Sequence, residues 1–353
     1  MSAASTQVLP GLQVLRAVAA LMVVIHHAEL SLVLGFGLPR THALLVGSAG
    51  VDVFFVISGF IMLVSSRRLF GRPGGGTTFL KRRLIRIVPL YWAVTTIYVL
   101  AILLFPALLH RTVTSTTMVA SYLFWPHLGA DGTMHPALVV GWTLNYEMFF
   151  YVLFALAVTL PQKTAVRAVI GALATTVVFA GVAGHAFPPL AFWGEPIVLE
   201  FAAGILLGLA YERGIRVPRW LAAAAIAAVV VAFAWQIGQP IPGSWPRLLL
   251  FGLPSLILVA AVVLARPGGS RPLPRALVFL GDASYSLYLV HFLALTATRL
   301  VAKRFGFTPT SVFEEALFIA ASTAAAIVAA IVSYLAFERP VTRWLRARFD
   351  RPA

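Results

Sequence analysis

Long apolar runs, each close to the length of a bilayer crossing, alternate with short polar breaks through the whole chain. The runs fall at about 11–31, 43–66, 84–105, 138–160, 168–186, 196–212, 219–237, 247–265, 276–299 and 312–337. About 20 residues of helix cross a hydrocarbon core. Backbone polar groups in that core must bond within the segment, so such runs can only be helices. The pattern predicts an all-α integral membrane protein, a polytopic bundle of about ten transmembrane helices. The region 185–196, rich in Pro and aromatics, makes the fifth and sixth runs the least regular. No break is long enough to fold separately. Residues 1–353 therefore read as one membrane-embedded domain with a short cytosolic C-terminal tail and no extra soluble domain.

Composition agrees with the pattern. Sixty per cent of the residues are apolar or aromatic and only 11% are charged, against roughly a quarter charged in soluble proteins. The net charge of +15 raises the question of nucleic acid, and the distribution of the charge answers it. With the N-terminus in the cytosol, the cytosolic loops hold 20 of the 27 Lys and Arg, among them seven at 67–86 and five from Arg339 onward. The outer side holds six: Arg40, Arg111, Arg247, Arg299, Lys303 and Arg304. Arg16, inside the first run, completes the set. This is the positive-inside pattern, and it predicts both termini in the cytosol. The charge then serves topology and lipid headgroups, and no nucleic-acid partner is expected. The N-terminal 15 residues carry no positive charge, so no cleavable signal peptide is expected. The chain has no Cys, which excludes disulfides, thiolate metal sites and a cysteine nucleophile.

Ionisable groups at membrane depth are costly, which makes them candidates for function. Arg16 lies about one turn inside the cytosolic end of the first run, and His27 lies about 16 Å deeper on the same helical face. Asp52 enters the second run from the outer side to a depth of roughly 13 Å, Glu147 reaches a similar depth in the fourth, and His291 rises roughly 22 Å into the ninth. Together they suggest a polar cavity. A structural reading stands beside each. Arg16 can snorkel to headgroups, and Asp52 and Glu147 can tie helices together. His291, within Ser284, Tyr285, Ser286 and Tyr288, can belong to a second polar cluster of ordinary interhelical bonds. His26 points about 100° from His27 and reads as packing or support. Gly74, Gly75 and Gly76 lack the residues of a P-loop and read as a flexible loop. The stretch 106–136, with Trp125, His127, Asp131 and His135, reads as an outer interfacial cap.

These residues sit in recognisable strings: Arg16-x10-His27; Gly50-Val-Asp52-Val-Phe-Phe-Val-Ile-Ser58-Gly59-Phe60; Arg82-Arg83-Leu-Ile-Arg86-Ile-Val-Pro89; Gly141-Trp142-Thr-Leu-Asn145-Tyr-Glu147; Gly281-Asp282-Ala-Ser284-Tyr285-Ser-Leu-Tyr288-Leu-Val-His291; and Glu338-Arg339-Pro340. In this order, from about residue 7 to 345, they closely resemble the bacterial acyltransferase-3 family, the OafA/YrhL-type membrane O-acyltransferases. The Gly141–Glu147 string looks most like the exopolysaccharide acetyltransferase branch. The resemblance implies transfer of an acyl group, acetyl by preference, from cytosolic acyl-CoA to a hydroxyl of a surface polysaccharide sugar or its lipid-linked precursor. It implies acyl-CoA as co-substrate with no tightly bound cofactor, a carbohydrate acceptor, polysaccharide assembly or export machinery as a partner, and a place in the bacterial inner membrane. Arg16 and His27 map onto the family's Arg-x10-His pair, and Arg83 and Arg86 onto its basic cytosolic motif.

Acyl transfer needs a base for the hydroxyl proton, a positive charge or donor for the oxyanion and a holder for the acyl donor. A neutral imidazole suits the first role, so His27 is the expected base, with Glu147 or Asp52 to orient it. Arg16, Arg83 and Arg86 are the expected phosphate binders. Three other classes stay open: a transporter or flippase for a polysaccharide precursor, a metal site built from His27, His291, Asp52 and Glu147, and a structural subunit of polysaccharide assembly. No metal is expected under the acyltransferase reading.

Overall fold

A computed structural model describes residues 9–38, 44–105, 113–129, 132–266 and 273–350. Arg40, Arg111, Asp131, Arg271 and Arg351 lie outside the described residues. Helix is found in all ten apolar regions. Among the described residues, eight helices are long and apolar enough to cross a membrane. The sixth and seventh regions carry shorter ones, Leu199–Glu212 and Arg219–Trp235. Among the described residues no strand forms beyond an isolated bridge, Val217 to Ala265. The chain is a polytopic all-α membrane protein, and it divides into two compact units.

The first unit comprises residues 1–65 and 200–332. Its helices are α1 (Pro10–Phe36), α2 (Gly50–Ser65) and, beyond the second unit's insertion, α8 (Leu199–Glu212), α9 (Arg219–Trp235), α10 (Ser244–Leu264), α11 (Arg275–Asp282), α12 (Ser284–Arg304) and α13 (Val312–Ser333). Helix α1 packs against α2, α10, α11 and α12. Its Leu12, Leu15 and Ala19 meet Val53, Val56 and Phe60 of α2, Leu207 of α8 and Val259 and Val263 of α10 in one buried cluster. Ala17, Ala20 and Val24 meet Leu280, Leu287, Ala326 and Ala330 in another. Lipid tails are as apolar as these side chains, so close packing, rather than water exclusion, holds such helices together. Two glycines show how close. A Cβ on Gly59 would run into the Phe201 carbonyl oxygen, and one on Gly50 would run into that of Ala19. The second approach seats the start of α2, with Asp52, directly on α1.

The second unit comprises residues 66–199 and 333–353. It contains α3 (Gly75–Leu104), α4 (Ser115–Tyr122), α5 (Trp142–Ala157), α6 (Gln162–Ala183), α7 (Pro188–Trp193) and α14 (Arg339–Phe349). Helices α3 and α5 run antiparallel: Phe79 meets Phe154 near one end of the pair, and Tyr91 meets Gly141 near the other. Helix α4, in the stretch read as an outer cap, is tied to α3 by Tyr91 Oη donating to the Ser121 carbonyl at 3.2 Å and by Trp92 Nε1 donating to that of Tyr122 at 3.0 Å.

Two local differences from the sequence reading share a physical reason. Helix α3 begins nine residues before the apolar run at 84, because Lys and Arg are good helix formers and hydropathy marks lipid, not helix. Gly75 and Gly76 therefore form a buried first turn, not a loop, with Gly74 as a left-handed cap at φ 73°. The ninth region breaks at Ala283 into α11 and α12. Many large apolar side chains face outward, among them Trp220, Trp235, Val182 and Phe305, as a lipid-facing surface requires.

Candidate active site

The first unit holds two buried polar groups. In one, His27 of α1 meets His291 of α12: His291 Nε2 lies 3.1 Å from His27 Nδ1, with ring centroids 5.0 Å apart. His291 Nδ1 lies 3.1 Å from the Leu287 carbonyl oxygen one turn back. A carbonyl only accepts, so His291 Nδ1 carries a hydrogen. In a neutral pair His291 Nε2 then has the lone pair and accepts from His27 Nδ1–H, which leaves the lone pair of His27 on Nε2. These hydrogens are assigned from the network. His291 is fully buried, whereas His27 keeps partial exposure. The supported ring is enclosed, and the ring with the free basic nitrogen is the accessible one.

Tyr288 flanks His291 with a centroid separation of 6.0 Å, and Ser284 is fully buried at the start of α12. Tyr285 lies on the same first turn, partly buried. The second polar cluster expected around His291 thus shares a helix with the His27 pair. Arg16 lies on α1 with Nη1 donating to Gln13 Oε1 at 3.4 Å. The His26 ring stands 4.9 Å from that of His27 but turns toward the start of α2, near Gly47.

The other group is built on Asp52, which is fully buried. Arg247 of α10 grips it with both arms of the guanidinium, Nε donating to Oδ1 at 3.1 Å and Nη2 to Oδ2 at 2.5 Å. Arg247 Nη2 also donates to the Ser48 carbonyl at 3.1 Å. Glu200, 2% exposed, stands beside Asp52. The sequence reading offered Asp52 as a carboxylate to orient His27. The structure gives His27 an imidazole partner and gives Asp52 an arginine.

Glu147 lies in the second unit, where Tyr151 Oη donates to its Oε2 at 2.5 Å. Arg83, its Cζ 5.4 Å from the centre of the Phe79 ring, faces Tyr151, Glu147, Arg86 and Arg346. Arg346, on α14, also faces Arg86, Asp350 and Arg82. Arg82 donates to both oxygens of Asp350 at 2.9 and 3.0 Å. Four guanidiniums thus stand with two carboxylates, an arrangement that favours an anion. Glu147 and Arg83, assigned separate tasks from the sequence, share this group.

Sequence reasoning passed over Glu200, Arg247, Tyr151 and Arg346. Glu200 is an ionisable residue inside an apolar run, so the rule that found Asp52 applies to it equally. Arg247 was counted among the six outer-side charges that set topology. Among the described residues no group of three or more His, Cys, Asp or Glu side chains is arranged to hold a metal ion.

A many-helix membrane bundle with a hydrogen-bonded pair of imidazoles among its helices defines a polytopic membrane protein with a polar interior. The chain belongs to the acyltransferase family, matching the family described as an acyltransferase domain over residues 9–337. It is 34% identical over 318 residues to the exopolysaccharide production protein ExoZ of Rhizobium meliloti (strain 1021), covering 87% of this chain and 93% of the relative. It is 28% identical over 346 residues to the acyltransferase MdmB of Streptomyces mycarofaciens, covering 88% and 85%. It is 27% identical over 263 residues to the putative membrane-bound transacylase BcsY of Komagataeibacter xylinus, covering 70% and 66%. No solved structure matches the chain.

Proposed function

We propose that this membrane acyltransferase moves an acyl group, acetyl by preference, from cytosolic acyl-CoA to a sugar hydroxyl of a surface or exopolysaccharide or its lipid-linked precursor. The observation that carries the mechanism is the His27–His291 hydrogen bond, with its direction set by the Leu287 carbonyl. His27 Nε2 takes the hydroxyl proton as the oxygen attacks the thioester carbonyl. When the tetrahedral intermediate collapses, the carbon–sulfur bond breaks, and the departing thiolate receives the proton from His27. The reaction is proton-neutral, so the imidazole need only hold the proton between two steps. His291 keeps His27 in the useful tautomer and shares the charge while it is protonated. Arg16, on the same face of α1 as His27, is a candidate donor to the oxyanion or to the substrate's phosphates.

In the second unit, Arg83 and Arg86, joined by Arg346, are the candidate holders of the donor's phosphates, since guanidinium forks match phosphate oxygens. Similarity to an exopolysaccharide production protein supports a carbohydrate acceptor and, with it, polysaccharide assembly or export machinery as a neighbour. The Arg and Lys asymmetry supports an inner-membrane location with both termini cytosolic. Proton NMR of surface polysaccharide from a null strain carrying wild type or His27→Ala, at equal membrane abundance, tests the reading. Wild type restores an O-acyl signal and His27→Ala does not. Restoration by both removes His27 as the base, and restoration by neither favours the transporter or flippase reading.

A further inference from the structure

We propose that Asp52 and Glu200 retain one proton between them, so that with Arg247 they form an electroneutral proton-binding site inside the first unit. The argument begins with the hydrogens available. As two carboxylates, neither residue has one to donate. Both Glu200 oxygens are then buried without a hydrogen-bond partner, and two negative charges stand together away from water. With one proton the same pair of side chains makes a carboxyl-to-carboxylate hydrogen bond. Like charges a few ångströms apart inside a protein do not both ionise, and a shared proton is the usual resolution.

The geometry also says which carboxyl carries it. Both Asp52 oxygens accept from Arg247, at 3.1 and 2.5 Å, which is the fork-to-fork bond of an ionised carboxylate. Glu200 has no such donor and is the one free to hold the hydrogen. The charges that face the pair are accounted for helix by helix. Arg247 comes from α10, and His26 from α1 stands near that guanidinium. Among the described residues no second cation faces the pair to neutralise a second carboxylate.

Space selects the proton over a larger ligand. Asp52 and Glu200 are 0% and 2% exposed. Gly252 packs so close that a Cβ there would lie 2.6 Å from Glu200 Oε1. A sugar hydroxyl cannot reach this position while the bundle is closed, and a proton can. The inference does not depend on the acyl-transfer reading.

Infrared spectroscopy of the purified full chain at neutral pH, compared in H2O and D2O, tests it. A buried protonated carboxyl gives a C=O stretching band, well separated from ionised carboxylates, that shifts on deuteration. The band is expected in wild type and is expected to vanish in Glu200→Gln and in Asp52→Asn, because the proton belongs to the pair. Thermal unfolding gives a second readout. Glu200→Gln keeps a neutral donor beside Asp52 and should melt with wild type, whereas Asp52→Asn combined with Glu200→Gln strips Arg247 of every carboxyl that can face it and should melt well below it. A wild-type spectrum without the band, a band untouched by either substitution, or Glu200→Gln melting as low as the double variant would each overturn the proposal.

Discussion

Replacing His291 by Leu removes the acceptor for His27 Nδ1–H while filling a similar volume. The bond lost is 3.1 Å long and its acceptor ring is fully buried. Leaving a buried donor unsatisfied costs about 1–3 kcal/mol. Expressed in the transition state, at roughly 1.4 kcal/mol per decade, that is about a 5- to 150-fold loss of rate. The loss should be smaller than for His27→Ala, which removes the base itself and is expected to cost about 10²–10⁴-fold. It should also appear in kcat rather than KM, since His291 is enclosed and has no surface to offer a substrate. The assay is the initial rate of O-acyl appearance in membranes of matched abundance, across a range of acyl-CoA. A third protein, carrying both substitutions, sharpens the test. If His291 acts only through His27, the double variant is no slower than His27→Ala alone. A His291→Leu protein with full kcat, or a double variant with the two losses multiplied, would refute the positioning role.

The Asp52–Arg247 pair is expected to behave as a buried ion pair. Arg247→Met should lower stability by about 3–5 kcal/mol, because it strands a carboxylate, and adding Asp52→Asn should recover much of that loss. Chemical or thermal unfolding in one detergent compares the three proteins. Arg346→Ala and Arg86→Ala should each raise the acyl-CoA concentration needed for half-maximal rate by about 10-fold or more, at about 1.5–3 kcal/mol per charged hydrogen bond. Arg82→Ala should do less, since Arg82 is committed to Asp350. Equal effects at all three would remove Arg346 from donor binding. Gly59→Ala should destabilise by about 1–3 kcal/mol, because its new methyl meets the Phe201 backbone. Gly171→Ala, with nothing within 4 Å of the added methyl, should be neutral or stabilising. Melting temperatures decide between them.

The helices were legible in the sequence because hydrocarbon allows an apolar run no other conformation. His27 was legible because a polar residue stands out against such a run. The pairings were not. His27 and His291 are 264 residues apart, and Asp52 and Arg247 are 195 apart. Depth along each helix was readable, but the face each helix presents to its neighbours was not. That face depends on contacts such as Gly50 against Ala19, which bring Asp52 up to α1 and under Arg247. The sequence therefore offered His27 a carboxylate, where the fold supplies an imidazole. Glu200, inside an apolar run, was as legible as Asp52; what the sequence could not show is that the two carboxyls, 148 positions apart (200 − 52), meet.

Helix α10 contains a π-helical turn at Leu248–Gly252, immediately after Arg247. Such a turn fits one extra residue into the helix, which swings the upstream residues by about 100° relative to those downstream. Below it, Val259 and Val263 can face the α1–α2 core; above it, Arg247 can still face Asp52. An unbroken α-helix could not aim both sets in these directions. The bulge works as a fixed gear between two registers, and its length is a coding constraint. Removing a single codon within 248–252 would leave the hydropathy of the span almost unchanged while turning Arg247 off its carboxylate. A mutational scan of deletions, rather than substitutions, should find this segment the least forgiving in α10.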